Sequence, residues 1–205
     1  MSVYSSLNFH LIRSLVKWNQ HYNPKDKCIF LTFDDGPEPD ITEFVLETLN
    51  RFGVKATFFC CGKNVELYPE LFQRIVSDGH SVANHTYSHV NGLKCNSKDY
   101  IEDVEKGAIV TNSHIFRPPW GALDLITYLK LKRKFKIVLW DVVSNDTSPA
   151  IVDSDSEINR MLQNIKAGAV VLFHFVNKHA DNTRILLPDF FKMALDKGYK
   201  FDVIK

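Results

Sequence analysis

The sequence predicts an α/β protein whose mainly parallel sheet curls into a small or distorted barrel with helices outside. Three observations predict it. Short β-rich runs alternate with stretches of helical spacing from residue 28 onward, the pattern of repeated β-α units. Polar residues collect just after the candidate strands, where parallel strands present one shared face and sites form. The chain has 205 residues, which is short for an eight-stranded barrel, and no Gly-x-Gly-x-x-Gly follows the first strand. A doubly wound open sheet is the architectural alternative.

The elements follow in order. Leu7, Leu11, Leu15 and Trp18 can share one helix face, so residues 1–27 are read as an N-terminal extension, helical and packed on the domain formed by residues 28–205. Strand 28–33 (CIFLTF) leads through Pro39-Asp40 into helix 41–51. Strand 56–60 (ATFFC) precedes helix 69–78, which Pro69 opens, and strand 80–83 precedes helix 97–111, with Ser97 at its start. Strand 114–117, helix 123–133, strand 136–141 (KIVLWD), helix 154–166, strand 169–174 (AVVLFH), helix 184–197 and strand 199–203 complete the chain. Gly53, Gly79 and Gly198 fall where helices should stop.

Composition narrows the function. Hydrophobic residues make up 45% of the chain, enough for one sizeable core, and one domain is the default at this length. The net charge of +1 gives no basic stripe for nucleic acid. The four cysteines, Cys28, Cys60, Cys61 and Cys95, form no Cys-x-x-Cys pair, and adjacent Cys60 and Cys61 are poorly placed to bridge, so they are read as free thiols in a reducing compartment. His10 and Arg13 interrupt the N-terminal apolar stretch, no small-residue cleavage site follows, and no run approaches transmembrane length. The expected location is cytoplasmic, with a peripheral membrane contact left open.

The chemistry gathers at the strand ends. Asp34 and Asp35 follow the first strand, His85 and His89 the third, Arg117 the fourth, Asp141 and Asp146 the fifth, and His174 ends the sixth. His85 and His89, four apart in NHTYSH, can reach one metal ion. A carboxylate from the Asp34-Asp35 pair would complete the set. Neighbours in extended backbone point to opposite sides, so the two aspartates should have different jobs. Without the histidine pair, DDGP would read as a turn capping the next helix. Two histidines and one carboxylate suit zinc with a water and also suit non-haem iron. Hydrolysis needs a base and an acid besides the metal, and this face offers a spare Asp and a spare His. His174 could otherwise be a core histidine, Arg117 a surface residue before a turn, and Asp146 a turn residue.

The sequence also resembles the polysaccharide deacetylases with a NodB-type domain, carbohydrate esterase family four. Five motifs stand in the family's order from about Cys28 to the end: TFDDG at 32–36, H85-T-Y-S-H89, R117-P-P-W-G121, a partly kept W140-D-V-V-S-N-D146, and L172-F-H174. The resemblance implies a distorted (β/α)7 barrel. It implies that Asp35, His85 and His89 bind the metal, that Asp34 is the general base held by Arg117, and that His174 is the general acid backed by Asp146. Trp120 and Leu172 fall on positions that serve substrate or oxyanion. Three positions depart from the family: Thr147 replaces a Trp after the fourth-motif Asp, Trp120 stands where Tyr is more frequent, and Phe175 follows His174 where Asp is frequent.

The expectation is therefore a zinc-dependent hydrolase that removes an N-acyl group from an amino sugar or polysaccharide. Deformylation of a lipid-linked amino sugar is the alternative within the class. A carbohydrate-binding pseudoenzyme is the alternative outside it and predicts a lost ligand or base, and none is lost. An iron oxygenase would be separated by metal content.

Overall fold

The computed structural model describes Val16 and residues 27–205. The helix face expected of Leu7, Leu11, Leu15 and Trp18 lies outside the described residues. The described elements are β1 (Cys28–Asp34), α1 (Ile41–Phe52), β2 (Thr57–Cys60), α2 (Gly62–Leu67), α3 (Pro69–Ser77), β3 (Ser81–Asn84), α4 (Ser97–Thr111), β4 (Ile115–Phe116), α5 (Leu125–Leu131), β5 (Lys136–Ile137), β6 (Val142–Val143), α6 (Ser154–Asn164), β7 (Val170–His174), α7 (Ala180–Asp196) and β8 (Lys200–Asp202). Short 3₁₀ turns occupy Pro119–Gly121 and Asn177–His179.

The strands form one sheet in the order β5-β4-β3-β2-β1-β7-β6, with β8 beside the start of β1. Every pairing is parallel. β1 lies in the middle and is buried along its whole length. Its side chains alternate with period two. Ile29, Leu31 and Phe33 join the outer core with Val45 and Leu49 of α1, Ile158 of α6 and Phe190 of α7. Phe30 joins the inner cluster with Phe59, Ala83, Ile115, Val138 and Val170. Thr32 and Asp34 continue that inner row toward the carboxyl end of the sheet.

The expected strand 136–141 is divided. Its first part pairs with β4 at one edge of the sheet, and the residues after it, as β6, pair with β7 at the other. Only residues 138–141 separate the two pairings, with Val138 N donating to Phe116 O and Asp141 N to Val170 O, both at 2.9 Å. One extended segment thus spans both edges and closes the curl, so no single flat strand exists. Asp141 consequently sits beside the start of β7, where its carboxylate accepts from Val170 N at 2.9 Å, and not on the face expected for it.

Other boundaries moved for local reasons. α2 was not expected. The helix at Ser97 is capped by Asn96, whose side chain accepts from Lys98 N and Asp99 N. The last helix starts at Ala180, four residues ahead of the expected 184. Gly53, Gly79 and Gly198 all take positive φ at helix ends, as expected. No helix among the described residues is long and apolar enough to cross a membrane.

Candidate active site

The register of the sheet builds the site. Asp34 on β1 lies directly beside His174 on β7, so two ionisable groups distant in sequence end neighbouring strands at one height. Neither Asp34 nor Asp35 caps α1, which begins behind Asp40. Asp35 leaves the strand with φ 86, and its backbone is fixed by Phe59 O, 3.2 Å from its N, and by Asn64 Nδ2, which donates to its carbonyl at 3.0 Å. That turn ends the strand alternation, and both carboxylates approach His85 Nε2, Asp35 at 3.2 Å and Asp34 at 3.8 Å, instead of pointing to opposite sides. Gly36 follows where a Cβ would come within 2.5 Å of the Phe175 ring, so only glycine fits.

Asp35, His85 and His89 present ligand atoms that all lie within 4.8 Å of one another. Asp35 Oδ1 is 3.2 Å from His85 Nε2 and 2.9 Å from His89 Nε2. His85 Nδ1 lies 2.8 Å from Arg117 O. A carbonyl only accepts, so Nδ1 carries the hydrogen and a neutral His85 turns the lone pair of Nε2 toward Asp35. Two lone pairs at that distance fit a cation between them. Burial opposes ionisation of Asp35, while without a metal the hydrogen bonds and positive charge of protonated His85 and His89 would hold its carboxyl well below the usual carboxylate range. The donor set therefore fits a divalent metal ion.

Asp34 takes a different partner. Arg117 Nη1 donates to Asp34 Oδ1 at 2.6 Å and to Thr32 Oγ1 at 2.8 Å. The guanidinium is fully buried, stacked 3.9 Å over the Phe59 ring, and its remaining donors meet Val138 O and Leu139 O at 3.2 and 3.3 Å. Burial lowers the Arg117 pKa while the Asp34 charge works against that shift. Asp34 Oδ2 remains 3.8 Å from His85 Nε2, at the edge of the metal cluster.

On the other flank, Asp146 lies fully buried behind His174. Its Oδ1 is 3.0 Å from His174 Nδ1, and its Oδ2 accepts from His174 N at 2.6 Å and from Thr183 Oγ1 at 3.3 Å. Burial would lower the imidazole pKa, but the Asp146 hydrogen bond and charge, aided by Asp35 and Asp34, raise it to about 9. The turn-like S-N-D-T segment is thus held to the strand end that it serves.

Trp120 stands at the rim, 55% exposed, with its ring centroid 4.4 Å from that of His89 and a φ of 56. Leu172, paired with Thr32 and Val143, is buried on the His174 face of β7, below the opening. Phe175 turns away from the site and packs on Phe33 and Phe58, which accounts for an apolar residue at that position. Beside the metal cluster lies an open groove of about 430 Å³ whose lining includes Asp35, His89, Trp120, Lys63, Lys178 and His179. A second hollow of about 260 Å³, lined in part by Thr147, shares Lys178 and His179 with it. Of the groove residues the sequence marked Asp35, His89 and Trp120 but not Lys63, Lys178 or His179; Asn64 and Thr183 were not marked, and Thr32 entered only as the first residue of TFDDG.

The chain belongs to the polysaccharide deacetylase family, which matches residues 21–137. It is 38% identical over 154 residues to a peptidoglycan-N-acetylglucosamine deacetylase of Bacillus cereus, a match covering 71% of this chain and 55% of that one. It is 35% identical over 158 residues to a chitooligosaccharide deacetylase of Rhizobium leguminosarum bv. trifolii, covering 73% of this chain and 72% of that one. Among solved structures, the Bc1960 peptidoglycan N-acetylglucosamine deacetylase in complex with 4-naphthalen-1-yl-N-hydroxybenzamide superposes with a TM-score of 0.82 at 31% identity, over 89% of this chain and 88% of that one. The curled parallel sheet is the distorted (β/α)7 barrel of these enzymes.

Proposed function

We propose that the protein is a zinc-dependent hydrolase that removes the acetyl group from the nitrogen of an N-acetylated amino sugar in a glycan chain. One observation carries the reading. Asp34 and His174 end adjacent strands in register beside the Asp35-His85-His89 cluster, one held by a cation and the other by a carboxylate. The family and the named activities of the relatives support the same reaction class. The catalytic unit is taken as residues 28–205, with 1–27 an extension to it.

Asp35, His85 and His89 would hold the metal, which when bound would polarise the acyl carbonyl and lower the pKa of a water. Asp34 accepts the proton of the water that attacks the carbonyl carbon. Its salt bridge to Arg117 fixes Oδ1 and leaves Oδ2 at the edge of the cluster. The C–N bond then breaks toward nitrogen, a poor leaving group until it gains a proton. His174, cationic at neutral pH, supplies that proton while Asp146 holds its ring. The products are acetate and a free amine. Trp120 offers an exposed aromatic face at the groove for a sugar ring, and Leu172 an apolar floor beneath His174. The open groove suits a glycan chain better than a buried small molecule.

The test is release of acetate or formate from a panel of N-acylated amino sugars, monomeric, oligomeric and lipid-linked, by zinc-loaded protein. Acetate from N-acetylglucosamine oligomers, abolished by chelation and restored by Zn2+, is the expected result. Formate from a lipid-linked sugar would move the substrate within the class. No release from any substrate would leave the pseudoenzyme reading, and iron in the purified protein would contradict zinc.

A further inference from the structure

The segment between the two histidines is an awkward piece of backbone. Thr86 and His89 both take positive φ, at 64 and 56, although neither is glycine. Such residues are strained and persist only where the surroundings over-determine them. Here two helices grip the segment. From α2, Gly62 N and Lys63 N donate to Thr86 O and Tyr87 O at 3.0 and 2.9 Å. Glu66 of α2 accepts from Tyr87 Oη at 2.7 Å, and Lys106 of α4 sits 3.3 Å over the Tyr87 ring.

The most concentrated contact comes from Asp103 in the middle of α4. Its Oδ2 accepts from Tyr87 N at 3.1 Å and from Ser88 N at 3.0 Å, and its Oδ1 accepts from Ser88 Oγ at 2.8 Å. The carboxylate therefore takes the main-chain hydrogen and the hydroxyl of Ser88, and shares the Tyr87 N–H with the Asp103 carbonyl, which also lies at 3.1 Å. α4 can come this close because Gly107 stands one turn further on, where a Cβ would collide with Thr86 and Asn84. The bonds are charge-assisted and so stronger than neutral ones. They act on the two residues immediately before His89, both of which also line the groove, and none of them is made to Asp35, His85 or His89.

The geometry points to Asp103 as a positioning residue for the metal: its carboxylate clamps the Tyr87-Ser88 amides and thereby sets the spacing of His85 and His89. This rests on the assignment of those histidines as ligands. Removing such a support typically weakens metal binding by roughly 10–100-fold. A role confined to folding would lower the melting temperature and leave the affinity of the folded protein unchanged.

The test is the Zn2+ dissociation constant of the full chain, measured by competition with a chromophoric chelator, for the parent, Asp103→Ala and Asp103→Asn. Asp103→Ala should bind about 10–100-fold more weakly. Asp103→Asn should stay within about threefold of the parent, because its amide oxygen can take both main-chain N–H groups while its NH2 donates to the Ser88 hydroxyl. In the metal-free proteins, hydrogen exchange at Ser88 should quicken in Asp103→Ala and stay slow in Asp103→Asn, while Tyr87 N keeps its bond to the Asp103 carbonyl in both. Unchanged affinity in a folded Asp103→Ala overturns the proposal, and so does an equal loss in Asp103→Asn, which would mean that charge and not placement matters. If Asp103→Ala does not fold, Asp103→Glu replaces it: its carboxylate overshoots by one methylene, and an unchanged Zn2+ constant there is equally contradictory. A parent whose Zn2+ titration matches that of His85→Ala would sink the functional reading instead.

Discussion

On the β1 flank of the site a carboxylate, Asp34, rests against a buried guanidinium, whereas on the β7 flank an imidazole, His174, rests against a buried carboxylate. Each flank sets an acidic group against a basic one, and on the β7 flank the Asp146 carboxylate raises the His174 pKa to about 9 although burial opposes it. The flanks also differ in how they are built. Arg117 reaches Asp34 across the barrel interior and is bonded to β1 and to the segment that closes the sheet. Asp146 comes from a loop without regular structure, tied down by Glu157 of α6, which accepts from Asn145 N at 2.8 Å and Asn145 Nδ2 at 2.9 Å and is itself paired with Arg160. The Asp34 flank, proposed to carry the base, is thus fixed by the core, and the His174 flank, proposed to carry the acid, by a chain of local polar contacts. The two should fail in different ways.

The largest effect should come from Asp34→Asn. The amide keeps the shape and loses the proton acceptor, so kcat/KM for acetate release should fall by about 10²–10⁴-fold while zinc content stays near one equivalent. If Asp34→Asn loses the metal and Asp35→Asn keeps it, the two carboxylates have been assigned in reverse. Arg117→Met tests the same flank through stability. It leaves the Asp34 carboxylate buried without its cation, and a loss of about 3–5 kcal/mol in urea unfolding is expected. A loss under 1 kcal/mol would show that the pair is not structural.

The acid flank should respond more gently and with a different sign in pH. The His174 pKa is raised to about 9, above the unfolded value of about 6.5. The protonated form is favoured by folding, so the pairing contributes its full stability below about pH 6.5 and loses it as pH rises through about 9. Urea stability of the metal-free parent should therefore fall over that window relative to Asp146→Asn, and parallel curves would contradict the pairing. Glu157→Ala should be the mildest change, about 1–3 kcal/mol, from the unpaired Asn145 groups it leaves. It should also shift the alkaline limb of activity in the same direction as Asp146→Asn. A stability loss with an unmoved limb would mean that the Asn145 contact does not place Asp146.

The comparison also separates what the sequence could show from what it could not. Asp34, Asp35, His85, His89, Arg117 and His174 could be picked out because the alternation of β-rich and helical runs puts each at a strand end, and the sheet register brings them together. Asp146 could be selected only through the family resemblance, since Asn145-Asp146 reads locally as a turn. Asp103 and Glu157 look like solvated positions on charged helices, and only the approach of those helices to the loops shows otherwise. The division of 136–141 was hidden because KIVLW contains no turn residue ahead of Asp141, and the break comes from curling the sheet. α2 was too short for its periodicity to be counted. The N-terminal face proposed for Leu7 to Trp18 falls outside the described residues.

The proposed division of labour between the Asp34 and His174 flanks is tested most directly by kcat/KM against pH for the parent and Asp146→Asn. The parent should give a bell, its acidic limb set by the base and its alkaline limb at or below about 9, since a bound dication nearby pulls an imidazolium down. Asp146→Asn should move the alkaline limb to lower pH and leave the acidic limb in place. An alkaline limb that stays where it was in Asp146→Asn would mean that His174 is not the acid and that the β7 flank is only packing.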